Sequence, residues 1–386
     1  MRWKCALVFS AVLLSSSLAH AQDVRIGVLG IFHPRQLTLT SRDGDPIVVT
    51  AAGHTLFLQP KSRAGSLQIR ASDGALLVGF AGQEIRAKEI RAAGRNQNAA
   101  DFVLTVPGKI ERRYQGTLNV RIEDGVLVPI VSMDLETAVA SVVHAESLAG
   151  APLEALKAQA VVTRSYFVAG AGRHADFDFC DLTHCQALRE PPRRGSPAAL
   201  AVAATRDLVI IFDDKPVAAM FTRSCGGRTL TPADIGIPSR GYPYFPVACA
   251  ICHKDPARWT RQVSPNDAAI LSNHQESSRL SVDRRLGWNA VPSNSFEAHE
   301  NGTGVILEGV GQGHGVGLCQ RGARAMAEDG ASFRQIIDHY FPNTALRAVP
   351  RRASYQNLTV LPNGLLDIRD SNNIRRSISV IDGGFH

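Results

Sequence analysis

The period of the apolar residues changes once along this chain, near Pro129, and that change limits the fold more than any other feature. Before it, short runs alternate apolar with polar residues: Gln36–Leu39, Ile47–Val49, Leu56–Leu58, Leu67–Ile69, Phe102–Val106 and Leu118–Ile122. A period of two marks a strand with one buried face. Asp43-Gly44, Asp73-Gly74 and Asp124-Gly125 punctuate these runs with the residues that hairpin turns require. After Pro129 the spacing becomes helical, with Leu135, Val139, Val142 and Val143 on one stripe of 135–147. Gly150 and Pro152 interrupt it, and Pro152 suits the first position of a second helix, which runs to about Gly170. Residues 171–200 read as a loop, Leu208–Phe212 and Val217–Phe221 as strands, and 222–300 as a polar, turn-rich region. A glycine-rich segment, Gly311–Gly317, precedes a helix over Gln320–Glu328. Ser332 and Gln335 then form a capping box for a last helix, ended by Pro342.

The expected fold class is α+β: a domain of helices packed with short strands over 111–349, and a β-rich module over 22–110. Residues 350–386 read as an appendage. Residues 1–21 read as an export signal, with Arg2 and Lys4, an apolar run from Ala6 to Leu14, and Ala19-His20-Ala21 as a small-x-small cleavage site. The run is too short to span a membrane. The expected location is therefore secreted or periplasmic. A formal charge of +7 suits a polyanionic partner or plain solubility equally. Aromatics are only 6%, and no Lys/Arg run is interleaved with them, which argues against a nucleic-acid partner.

Six cysteines follow the leader: Cys180, Cys185, Cys225, Cys249, Cys252 and Cys319. His174, Cys180, His184 and Cys185 lie within twelve residues, a soft ligand set at loop spacing that suits a structural zinc ion. A Cys180–Cys185 disulfide or an inert loop are the competing readings. Cys249-Ala250-Ile251-Cys252-His253 has the form of a haem attachment motif, but no helix context and few methionines support haem. Glu146 ends the first helix beside small and apolar residues. Lys157 and Arg164, seven apart, share a face of the second helix. Spacing alone favours solvated surface for all three. His314 stands between two glycines, where backbone can approach a ligand closely.

The run PLEALKAQAVVTRSYF, Pro152–Phe167, resembles a signature of the stage II sporulation protein D family, also seen in amidase enhancers. Three further segments resemble the family in order: Arg112–Ser147, the Ser-Cys-Gly-Gly of Ser224–Gly227, and GQGHGVGLCQRGARAMAEDG at Gly311–Gly330. The likeness spans roughly 110 to 346. Departures are Ser147-Leu148 where Met-Pro is usual, Cys319 for Ser, and Gln312 for Trp.

The resemblance implies a lytic transglycosylase acting on peptidoglycan glycan strands, with Glu146 as its single catalytic acid and base. It implies substrate-binding roles for Ser224, His314 and Gln320, and leaves Lys157 and Arg164 to bind substrate or stabilise charge. Zinc is associated with the family's matching Cys-Asp-x-Thr-His-Cys-Gln loop. Family members often carry a cysteine matching Cys225 and one in the 249–252 pair, so a disulfide there is implied, with Cys319 as partner to the remaining cysteine. The alternative function is a non-catalytic wall-binding enhancer whose partner is an amidase. A metallo-hydrolase is a third reading, weakened because no H-E-x-x-H helix is present.

Overall fold

The computed structural model describes residues 23–42, 46–62, 64–170, 174–183, 185–239, 241–302, 304–349, 358–360, 365–369 and 375–379. The expected export signal, the Asp43-Gly44 turn and His184 lie outside them.

The alternating runs form a sheet of twelve strands: β1 (Asp23–Gly27), β2 (Gln36–Ser41), β3 (Ile47–Ala51), β4 (His54–Leu58), β5 (Ser66–Ser72), β6 (Ala75–Phe80), β7 (Gln83–Ala87), β8 (Glu89–Ala93), β9 (Ala100–Val106), β10 (Ile110–Glu123), β11 (Val126–Asp134) and β12 (Phe179–Cys180). The main order is β12-β1-β11-β10-β9-β2-β5-β6-β7, while β8 pairs with β10 and β3, and β3 with β4. Strands β2 and β9 bury every second residue, including Leu37, Leu39, Phe102 and Leu104, as the alternation predicts. At the Asp73-Gly74 and Asp124-Gly125 turns both residues have positive φ, from 47° to 75°. This is the conformation whose twist matches the flanking strands.

The long strand β10 corrects the expected domain boundary at 110. Its first half pairs with β9 and its second half with β11 and β8. The β-rich region and the helical region are therefore joined through one strand, and Asp23–Val349 forms a single compact unit. In the second unit, the strands Leu358–Val360, Leu365–Arg369 and Arg375–Ser379 pair antiparallel.

Helix α1 (Leu135–Glu146) follows β11 directly, and α2 (Leu153–Ala169) follows it after a short turn. The inner sheet face, α1 and part of α2 share one core, containing Ile26, Val131, Val139, Val142, Leu156 and Phe167. A second core joins the rest of α2 to the C-terminal helices through Val161, Val162, Ile336 and Phe341. Helix α2 is thus buried on nearly every side, which is why it tolerates so little polar surface. Helix α3 (Pro197–Ala204) packs on both α1 and α2.

The expected turn-rich region is in fact structured. It contains α4 (Ala250–Lys254), α5 (Pro265–Leu271), α6 (Glu276–Leu286) and an antiparallel sheet of Arg258–Val263, Phe296–Glu300 and Val305–Val310. A small core of Trp259, Val263, Leu271, Val282, Val291 and Leu307 holds it. Its sequence reads as polar because α6 buries charge: Glu276, Arg279 and Asp283 are all inside. Of the expected strand over Val217–Phe221 only Phe221 lies in a strand, the two-residue Phe221–Thr222, while the other short strand nearby, Lys215–Pro216, falls just before the expected span. The last two helices, α7 (Gln320–Glu328) and α8 (Phe333–Tyr340), lie where the spacing puts them, and the Ser332/Gln335 capping box is formed. Among the described residues, no helix is long and apolar enough to cross a membrane.

Candidate active site

Glu146 is the last residue of α1. The helix begins at Asp134, whose carboxylate accepts from Thr137 N–H at 3.1 Å. It stops at Ser147, whose backbone is extended. The Ser147 hydroxyl donates to Gln159 Oε1 at 3.0 Å, which ties the turn to α2. The Glu146 carboxyl then faces a cavity of about 410 Å³ between the helices, the cysteine loop, the glycine-rich segment and α6. Its Oε1 accepts from Ala187 N–H at 3.0 Å, and its backbone carbonyl accepts from Gln320 Nε2 at 2.9 Å.

Burial raises the Glu146 pKa above the ordinary carboxyl value, and the Ala187 hydrogen bond and the charges of Arg189 and Arg223 offset this only in part. The position at a helix C-terminus acts in the same direction as burial, because the helix dipole disfavours negative charge there. Such a carboxyl keeps its proton closer to neutrality than a solvated one.

Two other carboxylates approach the cavity, but both belong to an internal network. Arg279 donates to Glu276 at 2.9 and 2.6 Å and to Asp283 at 3.0 Å. Asn294 Nδ2 donates to Glu276 at 2.6 Å, and Val291 N–H to Asp283 at 2.9 Å. Burial would raise the Glu276 pKa, yet the Arg279 hydrogen bonds outweigh it and the pKa is lowered. Among the described residues, Glu146 is the cavity carboxyl with no ion-pair partner.

His314 and Gln320 line the same cavity. Thr222 braces the glycine-rich segment: its hydroxyl donates to Gln312 O at 3.0 Å and accepts from Gly315 N–H at 3.1 Å. His314 Nδ1 accepts from Val316 N–H at 3.1 Å, which leaves the proton on Nε2. Burial lowers the His314 pKa, so the ring is neutral near pH 7.

The cysteine loop forms another wall, through Thr183, Cys185 and Gln186. His174 Nε2 lies 3.3 Å from Cys185 Sγ, and the donor atoms of His174, Cys180 and Cys185 all lie within 4.8 Å of one another. Two thiols and an imidazole so arranged fit zinc, whose tetrahedral bonds place neighbouring donors roughly 3.5–3.8 Å apart. Asp181 anchors the loop to the sheet. It accepts from Leu29 N–H and from Arg112, each at 3.0 Å.

Three expected substrate-binding residues point elsewhere. Arg164 is fully buried and forms a two-pronged pair with Glu136 at 2.7 Å for each bond, with further donation to Leu208 O at 3.1 Å. Lys157 pairs with Glu154 at 2.6 Å, whose other oxygen accepts from Phe333 N–H at 2.7 Å. Ser224 is buried 3.5 Å from Cys252 Sγ, away from the cavity lining. Each of the three secures the packing of an element rather than the cavity.

The cavity also holds residues that the sequence reading passed over. Gln186 is buried, and its Oε1 has no hydrogen-bond partner among the described residues. Arg223 is exposed on the rim. Trp288 lines the opening with 65% of its surface exposed. An isolated tryptophan in a polar stretch was the available signal for the last of these.

Comparison with known proteins places this site in context. Residues 123–212 match the family model described as Stage II sporulation protein. That segment includes Glu146, both following helices and the cysteine loop. A Stage II sporulation protein D of Bacillus amyloliquefaciens is 25% identical over 256 residues, which cover 55% of this chain and 74% of that protein. An uncharacterized protein of Brachyspira hyodysenteriae is 28% identical over 262 residues, which cover 59% of this chain and 70% of that protein.

Proposed function

We propose that this member of the stage II sporulation protein D family is an exported peptidoglycan lytic transglycosylase, with Glu146 as its single general acid and base. The observation that carries the reading is the state of that carboxyl. It is half-buried, raised in pKa, lines the cavity and is free of an ion pair among the described residues.

The chemistry needs one such group. Protonated Glu146 gives its proton to the oxygen bridging N-acetylmuramic acid and N-acetylglucosamine as the bond from C1 breaks. The 6-hydroxyl oxygen of the muramyl residue then attacks C1. Its proton passes to the Glu146 carboxylate, which restores the acid and leaves a 1,6-anhydro ring. No water is consumed. A hydrolytic glycosidase needs a second carboxylate for water or for a covalent intermediate, and the Glu276–Arg279–Asp283 network is already engaged in holding α6.

The surrounding residues suit a sugar. Gln186 Oε1 has no hydrogen-bond partner among the described residues, and neutral His314 lines the same cavity. Trp288 presents an amphipathic ring at the opening, a suitable platform for the apolar face of a pyranose. Gln320, through the Glu146 carbonyl, acts as a positioning residue. Zinc held by His174, Cys180 and Cys185 would stiffen the loop that delivers Ala187 N–H to Glu146; its role in this reading is structural.

Turnover of glycan strands stripped of stem peptides tests the proposal. Glu146→Gln keeps shape and hydrogen-bonding atoms but has no proton to give, and it is expected to lose about 100- to 10,000-fold in rate. Glycan binding by the wild-type chain without any product would instead support the non-catalytic enhancer of an amidase.

A further inference from the structure

Cys225, Cys249, Cys252 and Cys319 are far apart in sequence but meet in the second core. All four are buried, and their sulfurs lie within 4.8 Å of one another. Cys252 and Cys319 are 3.6 Å apart. We infer that these four cysteines form a second, tetrathiolate metal site for a zinc-class ion, separate from the His174 loop.

Three observations carry this. The first is distance: a tetrahedral ion with zinc–sulfur bonds of about 2.3 Å separates its ligands by about 3.8 Å. The Cys252–Cys319 distance is close to that figure, and the 4.8 Å limit on all four sulfurs is too tight for thiolates spread around a four-iron cluster.

The second is the set of donors aimed at sulfur. Gly322 N–H points to Cys319 Sγ at 3.5 Å, Tyr340 O–H to Cys249 Sγ at 3.6 Å, and the Ser224 hydroxyl lies 3.5 Å from Cys252 Sγ. Arg321, paired with Asp255, brings positive charge beside Cys252 and Cys319. Hydrogen bonds and charge of this kind stabilise thiolates bound to a metal; they do little for a disulfide sulfur.

The third is the absence of room for anything larger. A Cβ at Gly322 would collide with the Tyr340 hydroxyl and come within 2.7 Å of Cys249 Sγ. The residue following Arg321 must therefore be glycine for the cluster to close.

The cluster joins the Ser224–Gly227 turn, the start of α4 and the start of α7. From these run Thr222, Arg223 and Gln320, which reach the cavity from the other side. The metal thus clamps the back wall of the cavity. On binding, each thiol yields its proton to solvent, and in an oxidising compartment the bound ion would keep the four sulfurs from pairing. The inference does not depend on the transglycosylase reading.

The test uses the full chain carrying His174→Ala, Cys180→Ser and Cys185→Ser, so that the other loop cannot hold metal. Elemental analysis should find about one zinc per chain. Cobalt substitution should give tetrahedral thiolate charge-transfer bands, and the four thiols should resist alkylation until a chelator and denaturant are added. Adding Cys252→Ser and Cys319→Ser should cut zinc content at least about tenfold. An intact mass lighter by four hydrogens with no metal, meaning two disulfides, would overturn the inference. So would four thiols that alkylate freely in the folded chain. If the serine variants fail to fold, the metal count and intact mass of the parent chain decide alone.

Discussion

Gln320 Nε2 donates to the backbone carbonyl of Glu146 at 2.9 Å, across 174 residues of sequence. The bond satisfies one of the free carbonyls at the end of α1, and it fixes the acid relative to the glycine-rich segment that carries His314. Gln320→Leu removes the donor at similar volume. It should destabilise the fold by about 1–3 kcal/mol, the cost of a buried carbonyl left unpaired. It should also lower kcat by about 10- to 100-fold, because small misplacements of a reacting group are costly. Urea melts and steady-state kinetics on glycan strands separate the two effects.

The raised pKa of Glu146 gives the activity a defined pH dependence. The reaction needs the protonated acid, so the rate should be highest below its pKa and fall as pH rises through it. Burial places that fall above the ordinary carboxyl range. Replacing Ala187 by proline deletes the N–H that stabilises the ionised form, and should move the fall to still higher pH. A kcat against pH profile for both proteins checks the direction.

Arg164 is expected to matter to folding and not to substrate affinity. Arg164→Ala leaves Glu136 without its partner in the interior and should cost about 3–5 kcal/mol. Arg164→Met with Glu136→Leu removes both charges and should recover most of that. The chemical denaturation midpoints report this, while KM for glycan strands should change little in any variant that folds.

Asp181 links the cysteine loop to the sheet, and its titration should be visible in stability. Burial pushes its pKa up to about 6, with the Leu29 N–H and Arg112 pulling against it. The folded pKa is therefore above the unfolded value of 3.8. Below that lower value both states are protonated and the contribution to stability is fully present. Between there and about 6 the unfolded chain ionises first, so stability is lost as pH rises. The unfolding free energy of the wild type relative to the Asp181→Asn variant should therefore decline through this window.

The features legible in the sequence were local ones. The Asp73-Gly74 and Asp124-Gly125 turns, the alternation of β2 and β9, the interruption between α1 and α2 around Gly150 and Pro152 and the Ser332/Gln335 box each depend on a few adjacent residues, and each stands where it was expected. Glu146, His314 and Gln320, each singled out by a short motif, line one cavity. Arg164 was misread because helical spacing shows which residues share a face, not what covers it; α2 is covered nearly all round. Helix α6 was missed because it buries Glu276, Arg279 and Asp283 where an apolar stripe is normally sought. The convergence of four cysteines is tertiary and has no spacing to betray it. The boundary at 110 failed because β10 serves both parts of the sheet.

The central claim is that Glu146 closes a ring and does not direct water. It is tested most directly by digesting purified, peptide-free glycan strands in ¹⁸O-labelled water and weighing the products. The account predicts unlabelled muramyl ends, lighter by one water than ordinary reducing ends, that disappear with Glu146→Gln. Reducing ends carrying the label, or anhydro ends released by the variant at the wild-type rate, would contradict it.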